Sequence, residues 1–332
     1  MKRRTFIQSI GTAAAAAPVY GCSIIKRRYK PTGVMPRKVL GQTGVEVSRL
    51  GFGSHLMQSQ VKNPKLRDRI IKTGYESGIN IFDVYDHGGY MQFEPMGKSV
   101  NDIGRKNLLV SLVAVKPTEE MEGEIDYALK QFSTDFIDLY RNHIVDDDRM
   151  NILERNKQAG KLRFIGVVSH SVEDMSRYID DYGGILDFVM IIYNFHHNIG
   201  RYTVPDRYPP NDNTALITRC ENMGLGIIGI KPMGSNDMTK LASERGFFRD
   251  KKTNLAQAML RHVFMKNEID CAMPAMNSMK ELVTNIEAAY DRTPSPYDTD
   301  ILNRLSDTAS STRRAYLSPH YRWLEDWAVR TV

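Results

Sequence analysis

Two hydrophobic rhythms alternate along the chain from about Val45 onward. Short apolar runs of strand length sit at Val47–Ser54, Ile79–Val84, Asn107–Val115, Ile137–His143, Arg163–Ser169, Asp187–Asn194, Gly226–Pro232 and Asp270–Ala275. Between them lie amphipathic stretches such as Pro64–Ser77, Glu119–Phe132, Met150–Ala159, Val172–Tyr182 and Leu255–Lys266, which read as helices. Gly78, Gly104, Gly160, Gly183 and Gly224 fall where helix C-caps belong. Eight strand–helix units in series imply a parallel sheet, and that number closes most economically into a barrel. The expectation is an α/β chain, a single-domain (β/α)8 TIM barrel over residues 36–315. An open, doubly wound sheet is the alternative, but no GxGxxG follows the first strand.

In a parallel barrel the chemistry gathers at the C-terminal ends of the strands. Those positions hold His55, then Asp83, Tyr85, Asp86 and His87, then Lys116, His143, Ser169 and His170, then Asn194, His196 and His197, with Lys231 and Asn277 completing the ring. Six of the eight histidines lie on this one rim, which marks it as the candidate active site.

Composition narrows the function classes. The 332 residues are 42% hydrophobic and 25% charged, ordinary for a globular chain. The formal charge is +6, and Lys2, Arg3 and Arg4 account for three of it. The remaining excess is too small and too evenly spread for nucleic-acid binding. Cys22, Cys220 and Cys271 have no CxxC spacing and suggest neither a disulfide framework nor a zinc or iron–sulfur site. Cys220 and Cys271 fall in apolar stretches and read as buried thiols.

Residues 1–21 read as an export signal. A basic start (Lys2-Arg3-Arg4-Thr5-Phe6-Ile7) precedes a mild apolar run from Ile10 to Tyr20, too short to span a bilayer. Arg3-Arg4 followed by Phe6-Ile7 resembles the twin-arginine address, which implies the export machinery that reads it as a partner. Val19-Tyr20-Gly21-Cys22 looks like a lipoprotein box, making Cys22 the candidate lipid anchor. Residues 22–35, with Lys26, Arg27, Arg28 and Lys30, then form a basic tether. The expected location is periplasmic, free or membrane-anchored; a solvated linker after ordinary cleavage is the other reading. Residues 316–332 form a C-terminal tail in which Trp323 and Trp327 stand one helical turn apart.

Several ordered segments resemble the aldo-keto reductase superfamily, over roughly Arg37 to Ala289. Residues 37–53 are similar to its opening hairpin and first strand, Asn80-Ile81-Phe82-Asp83 to the strand that ends in a catalytic aspartate, and Asp135 through His143 to the strand bearing a catalytic histidine. Ile165 through Ser171 resembles the stretch that holds the nicotinamide amide; Gly226 through Gly234 and Pro274 through Asn285 look like two further cofactor segments. The resemblance implies hydride transfer between NAD or NADP and a carbonyl or sugar-like substrate. A tyrosine hydroxyl moves the proton, its pKa of about 10 lowered by a lysine that pairs with the aspartate.

Asp83 and His143 match that pattern, while the family's tyrosine spacing falls on Gly88. Tyr90 is the candidate, since Glu94, Gly97 and Lys98 follow it as in the family; Tyr85 reads as a rim packing residue. The lysine position falls on Val113, so Lys116, three residues on, is the candidate cation, expected to pair with Asp83. Its other reading is a solvated loop lysine before Pro117. The candidate cofactor residues are Ser169, His170, Lys231, Gly234, Ser278 and Asn285. His170 stands where an asparagine is usual and Met190 where a glutamine is; Ala275 and Glu281 hold positions that carry basic residues in NADP-preferring members, with Lys280 adjacent. No metal ligand set is expected. Two other functions stay open: a non-catalytic binding protein on this fold, and a metal-dependent barrel hydrolase using the rim histidines.

Overall fold

The computed structural model describes residues 30–53, 63–84, 86, 92–201, 203 and 210–314. The barrel lies within the compact unit that begins at Pro31. A hairpin comes first, β1 (Arg37–Val39) antiparallel to β2 (Glu46–Ser48). Eight parallel strands follow: β3 (Phe52–Gly53), β4 (Ile81–Val84), β5 (Leu109–Ala114), β6 (Ile137–Asn142), β7 (Leu162–Ser169), β8 (Phe188–Ile192), β9 (Gly226–Ile230) and β10 (Cys271–Met273). Each pairs with its sequence neighbour, and parallel bridges Leu50–Ala272 and Gly53–Ala275 close the ring. This is the (β/α)8 barrel expected from the alternation. The Val47–Ser54 run is not one strand, however: it divides into the end of the hairpin and the start of the barrel wall.

The helices on the outer wall are α1 (Pro64–Glu76), α2 (Phe93–Ile103), α3 (Met121–Gln131), α4 (Asp147–Gln158), α5 (Val172–Tyr182), α6 (Thr214–Asn222), α7 (Asn236–Glu244), α8 (Leu255–Phe264), α9 (Met279–Tyr290) and α10 (Pro296–Arg314). Their starts follow from local chemistry. Asn63, Asp146, Ser171, Asn254 and Ser278 each accept a backbone N–H from the first turn, satisfying donors that the helix cannot. For this reason α4 begins three residues before the apolar periodicity does: its first turn is acidic and capped, so no hydrophobic residue announces it. Gly78, Gly104, Gly160 and Gly224 take the positive φ of a helix exit, whereas Gly183 keeps a right-handed φ of −54°.

Alternate strand positions fill the barrel. Leu40 and Val47 from the hairpin join Ile81, Leu109, Leu139, Phe188, Met190, Ile228, Cys271 and Met273 in one buried cluster. The hairpin thus plugs the N-terminal mouth. Gly41 at its turn is required there, because its φ is +48° and an added Cβ would meet the Gly226 backbone at 2.3 Å. Cys220 and Cys271 are buried free thiols; burial pushes the Cys220 thiol up to about 11, so both serve as packing. With an apolar plug below, polar side chains pointing into the barrel can gather only at the opposite, C-terminal mouth.

Candidate active site at the C-terminal mouth

Inward-facing positions on three adjacent strands place Asp83 of β4, Ser111 of β5 and Arg141 of β6 above that plug. Asp83 and Arg141 are only 6% and 5% exposed. The guanidinium grips the carboxylate with both arms, Nη1 to Oδ1 at 2.6 Å and Nη2 to Oδ2 at 3.0 Å. The Ser111 hydroxyl donates to Oδ1 at 2.8 Å and accepts from Nη1 at 2.9 Å. A lone buried charge would be very costly; here acid, base and hydroxyl meet one another, and the Arg141 Nε is left as a buried donor without a partner.

His143 stands just past β6, two positions above Arg141 and on the same side of the strand. Its ring Nδ1 lies 2.8 Å from the Ala114 carbonyl at the end of β5. A carbonyl only accepts, so Nδ1 carries the hydrogen and Nε2 is the nitrogen at which this imidazole gains or loses a proton.

The expected Lys116–Asp83 pair does not form. Asp83 is engaged by Arg141 and Ser111, and the Lys116 ammonium lies 3.4 Å from Glu120 with its side chain about half exposed. The strand end that would have had to shift is pinned from the helix side. Buried Glu124 accepts the amides of Val115 and Lys116 together with the Tyr140 hydroxyl, and Arg149 donates to the Lys116 carbonyl at 2.9 Å. Burial raises the Glu124 carboxyl, and those amides and hydroxyl oppose the rise. Val113, the position that sequence register assigned to a lysine, is a buried valine paired in register with Arg141.

Asp86, just after β4, is buried and accepts the backbone N–H groups of Gln92 and Phe93 at the start of α2. Burial raises its carboxyl, while those amides and the charge of Lys116 pull it down. Tyr85, His87, Tyr90 and His55 lie outside the described residues, as do residues 1–29 with their export features and Trp323 and Trp327 of the tail.

A model of the aldo/keto reductase family matches residues 49–307, more than three quarters of the chain. The chain belongs to the aldo/keto reductase family. It is 23% identical over 294 residues to the L-galactose dehydrogenase of Arabidopsis thaliana, covering 76% of this chain and 88% of that one. It is 24% identical over 234 residues to a probable aldo-keto reductase of Glycine max, covering 64% and 60% of the two chains. A solved aldo-keto reductase from Bacillus halodurans, in its holo form, superposes with a TM-score of 0.63 over 82% of this chain and 96% of that one, at 18% identity, a likeness of fold.

Within the aldo/keto reductase frame, the residues read as cofactor segments are spread along β7, β9, β10 and the helices that follow. Ser169 ends β7 half-buried; its Oγ accepts the Ser171 amide at 3.0 Å, which leaves the hydroxyl hydrogen to donate elsewhere. His170 is exposed beside it, and its carbonyl accepts from Asn211. Met190 packs inside the barrel plug, so its place on β8 offers no amide to a ligand. Lys231 follows β9 with a φ of +52°, unusual for a side-chain-bearing residue; burial lowers its ammonium, with Asp237 opposing and Arg201 assisting. Gly234, at φ +79°, closes that turn by donating its amide to the Lys231 carbonyl at 2.9 Å. At the start of α9, the Ser278 hydroxyl accepts from the Glu281 amide and the Glu281 carboxylate from the Asn277 amide, a reciprocal cap. Asn285 is buried in the same helix, and the Asn277 Oδ1 is a buried acceptor without a donor.

Two features of the rim went unread. Arg141 and Ser111 were not recognised, although both have the inward parity of His143 and Asp83; a charged residue facing into a barrel is itself a demand for a counter-ion. The rim histidines also do not form one set. His196 is 1% exposed, bonds the Ser306 hydroxyl of α10 at 2.8 Å, and has no partner at Nε2. Burial, chiefly, lowers it to about 4. Among the described residues no three His, Cys, Asp or Glu side chains gather in a way that could hold a metal ion.

Proposed function

We propose that this chain is a nicotinamide-dependent oxidoreductase that interconverts a carbonyl of a small or sugar-like substrate and the corresponding alcohol. The observation that carries the reading is the placement of Asp83 and His143 at one mouth of the barrel, in a chain of the aldo/keto reductase family. Likeness to an L-galactose dehydrogenase supports a sugar-like substrate.

The residues present suit a dinucleotide. Ser169 has a hydroxyl hydrogen to give to a carboxamide oxygen, Lys231 and the turn at Gly234 suit its phosphates, and the orphaned Asn277 Oδ1 near Ser278 and Asn285 suits a ribose hydroxyl or an adenine amine. Bound there, the nicotinamide supplies or takes up the hydride. The chain's residues orient the carbonyl oxygen through His143, while Tyr90 remains the candidate proton carrier from the sequence. The N-terminus of α9 carries Glu281, and a carboxylate there repels a 2′-phosphate. Each charge-assisted phosphate bond contributes about 1.5–3 kcal/mol, so the absence of two removes tenfold or more in preference.

Calorimetric titration of NAD and NADP into cofactor-free protein tests this reading. Binding of NAD with little or no preference for NADP is expected. A strong NADP preference would make Lys280 or another residue the phosphate ligand. Binding of neither would favour a non-catalytic binding protein, a reading that the valine at position 113 keeps in play.

The export reading is part of the same proposal. Replacing Arg3-Arg4 with a lysine pair should retain precursor in the cytoplasm, and Cys22→Ala should release the protein from membranes; unchanged behaviour in either experiment rejects that element.

A further inference from the structure

Building on the oxidoreductase reading, we propose that Arg141 supplies, from β6, the positive charge that register assigns to a lysine on β5, so that the cation has changed strand and residue type but not carboxylate. Three observations carry it.

First, the two positions face each other. Val113 and Arg141 are direct partners across the β5–β6 ladder. Both share the inward parity of Asp83 and Ser111, above the plug residues Ile81, Leu109 and Leu139. Long side chains from 113 and 141 therefore open onto the same space. Only one can fill it. Val113 is a short side chain, 6% exposed, and the guanidinium crosses from β6 past β5 to reach Asp83 on β4.

Second, stability is a poor reason for the pair. A buried ion pair is often matched or bettered by apolar residues of similar volume, and this one sits directly above an apolar plug that could have been continued. A charge kept at that level serves something other than packing.

Third, the charge is permanent and well placed on its strand. A guanidinium stays protonated through any working pH range, so the cation does not itself titrate. His143, two positions further along the same face of β6, puts the imidazole that orients a carbonyl on the strand that carries the charge. Arg141 is thus a positioning residue. It holds Asp83 and favours the phenolate form of the tyrosine that moves the proton, Tyr90 in the sequence reading.

The strand ends above the pair carry Asp86 after β4, Lys116 after β5 and His143 after β6. Titration is therefore read as a difference between variants. In cofactor-free protein, tyrosinate absorbance of each variant against its Tyr90→Phe counterpart reads the ionisation of Tyr90. It should lie below about 10 in wild type and rise by about one unit or more in Arg141→Met. It should fall again in Arg141→Met with Val113→Lys, which returns the charge to β5. Asp83→Asn with Arg141→Met is the folded, uncharged reference for rates. Its kcat for carbonyl reduction should drop by about a hundredfold or more with KM little changed, and the relocated lysine should recover most of that loss.

A Tyr90 that ionises alike in wild type and in Arg141→Met overturns the proposal. So does a folded relocation variant no faster than the uncharged reference. If wild type reduces no carbonyl at any pH, the oxidoreductase reading falls, while the tyrosine titration still decides the role of Arg141.

Discussion

One strand, β6, carries two buried arginine–aspartate clusters, and they are built differently. Towards its N-terminal end, Asp138 accepts from Arg105 at 2.7 Å, from Arg163 at 2.9 Å and from the Val110 amide at 3.0 Å. Both guanidinium groups lie over the Phe136 ring, at 5.4 and 5.6 Å from its centroid. Asp138 therefore ties β5, β6 and β7 together through main chain as well as side chain. Towards the C-terminal end, Asp83 and Arg141 meet inside the barrel, and every partner of Asp83 is a side chain. The first cluster is woven into the sheet. The second can be rebuilt without opening a backbone hydrogen bond, which is what a site that diverges in chemistry requires of its scaffold.

The largest effect should come from breaking the clusters singly. Arg141→Met leaves the Asp83 carboxylate buried and unpaired and should cost about 3–5 kcal/mol in denaturant unfolding, together with most of the activity. Asp138→Ala should cost less, because Arg105 keeps the Leu108 and Phe136 carbonyls and the partly exposed Arg163 turns to solvent, leaving the Val110 amide as the orphan, and kcat of the folded fraction should stay near wild type. The double variant Asp83→Asn with Arg141→Met sharpens the contrast: removing both partners of a buried pair is often close to neutral, so stability should largely return while activity does not. Equal recovery in the double variant Asp138→Asn with Arg105→Met would erase the distinction, because there the Val110 amide should still lack its charged acceptor.

Next in size is a pH effect on the far side of the mouth. Burial lowers His196 to about 4, below the ordinary imidazole value. The folded chain prefers the neutral ring. Its contribution is therefore complete above about pH 6.5 and is lost as pH falls from there towards the folded value, up to about 3 kcal/mol. Comparing unfolding free energies at pH 7 and at about 4.5 should show a smaller drop in His196→Gln than in wild type; an unchanged drop would assign the acid sensitivity to carboxylates. The smallest effect should come from Lys116→Ala. An exposed pair with Glu120 contributes less than about 1 kcal/mol, and initial rates should be unaltered. A loss of rate of a hundredfold would return Lys116 to the reaction despite its placement.

Much of this molecule was readable before any coordinates. The strand and helix alternation that closes into a barrel, the rim that collects Asp83, His143 and Ser169, and the absence of a lysine at 113 all follow from local pattern and register. The errors have local causes too. The start of α4 was hidden by an acidic, capped first turn; the hairpin and first barrel strand ran together because both are apolar. His196 was counted with the rim because it follows β8, although its side chain turns in against α10.

What the sequence by itself determined is periodicity: which residues alternate, which face inward, and where each strand ends, because those depend on neighbours two to four positions away. Pairing across the barrel was decided only by the tertiary structure. Asp83 and Arg141 are 58 residues apart, and Lys116 is nearer to Asp83 in sequence than Arg141 is. Strand stagger brings the arginine and the aspartate to one level inside the barrel, while Glu124 and Arg149 hold the lysine's strand end outward. A charged side chain records in the sequence that it needs a partner. Which partner it meets is set by the closure of the sheet.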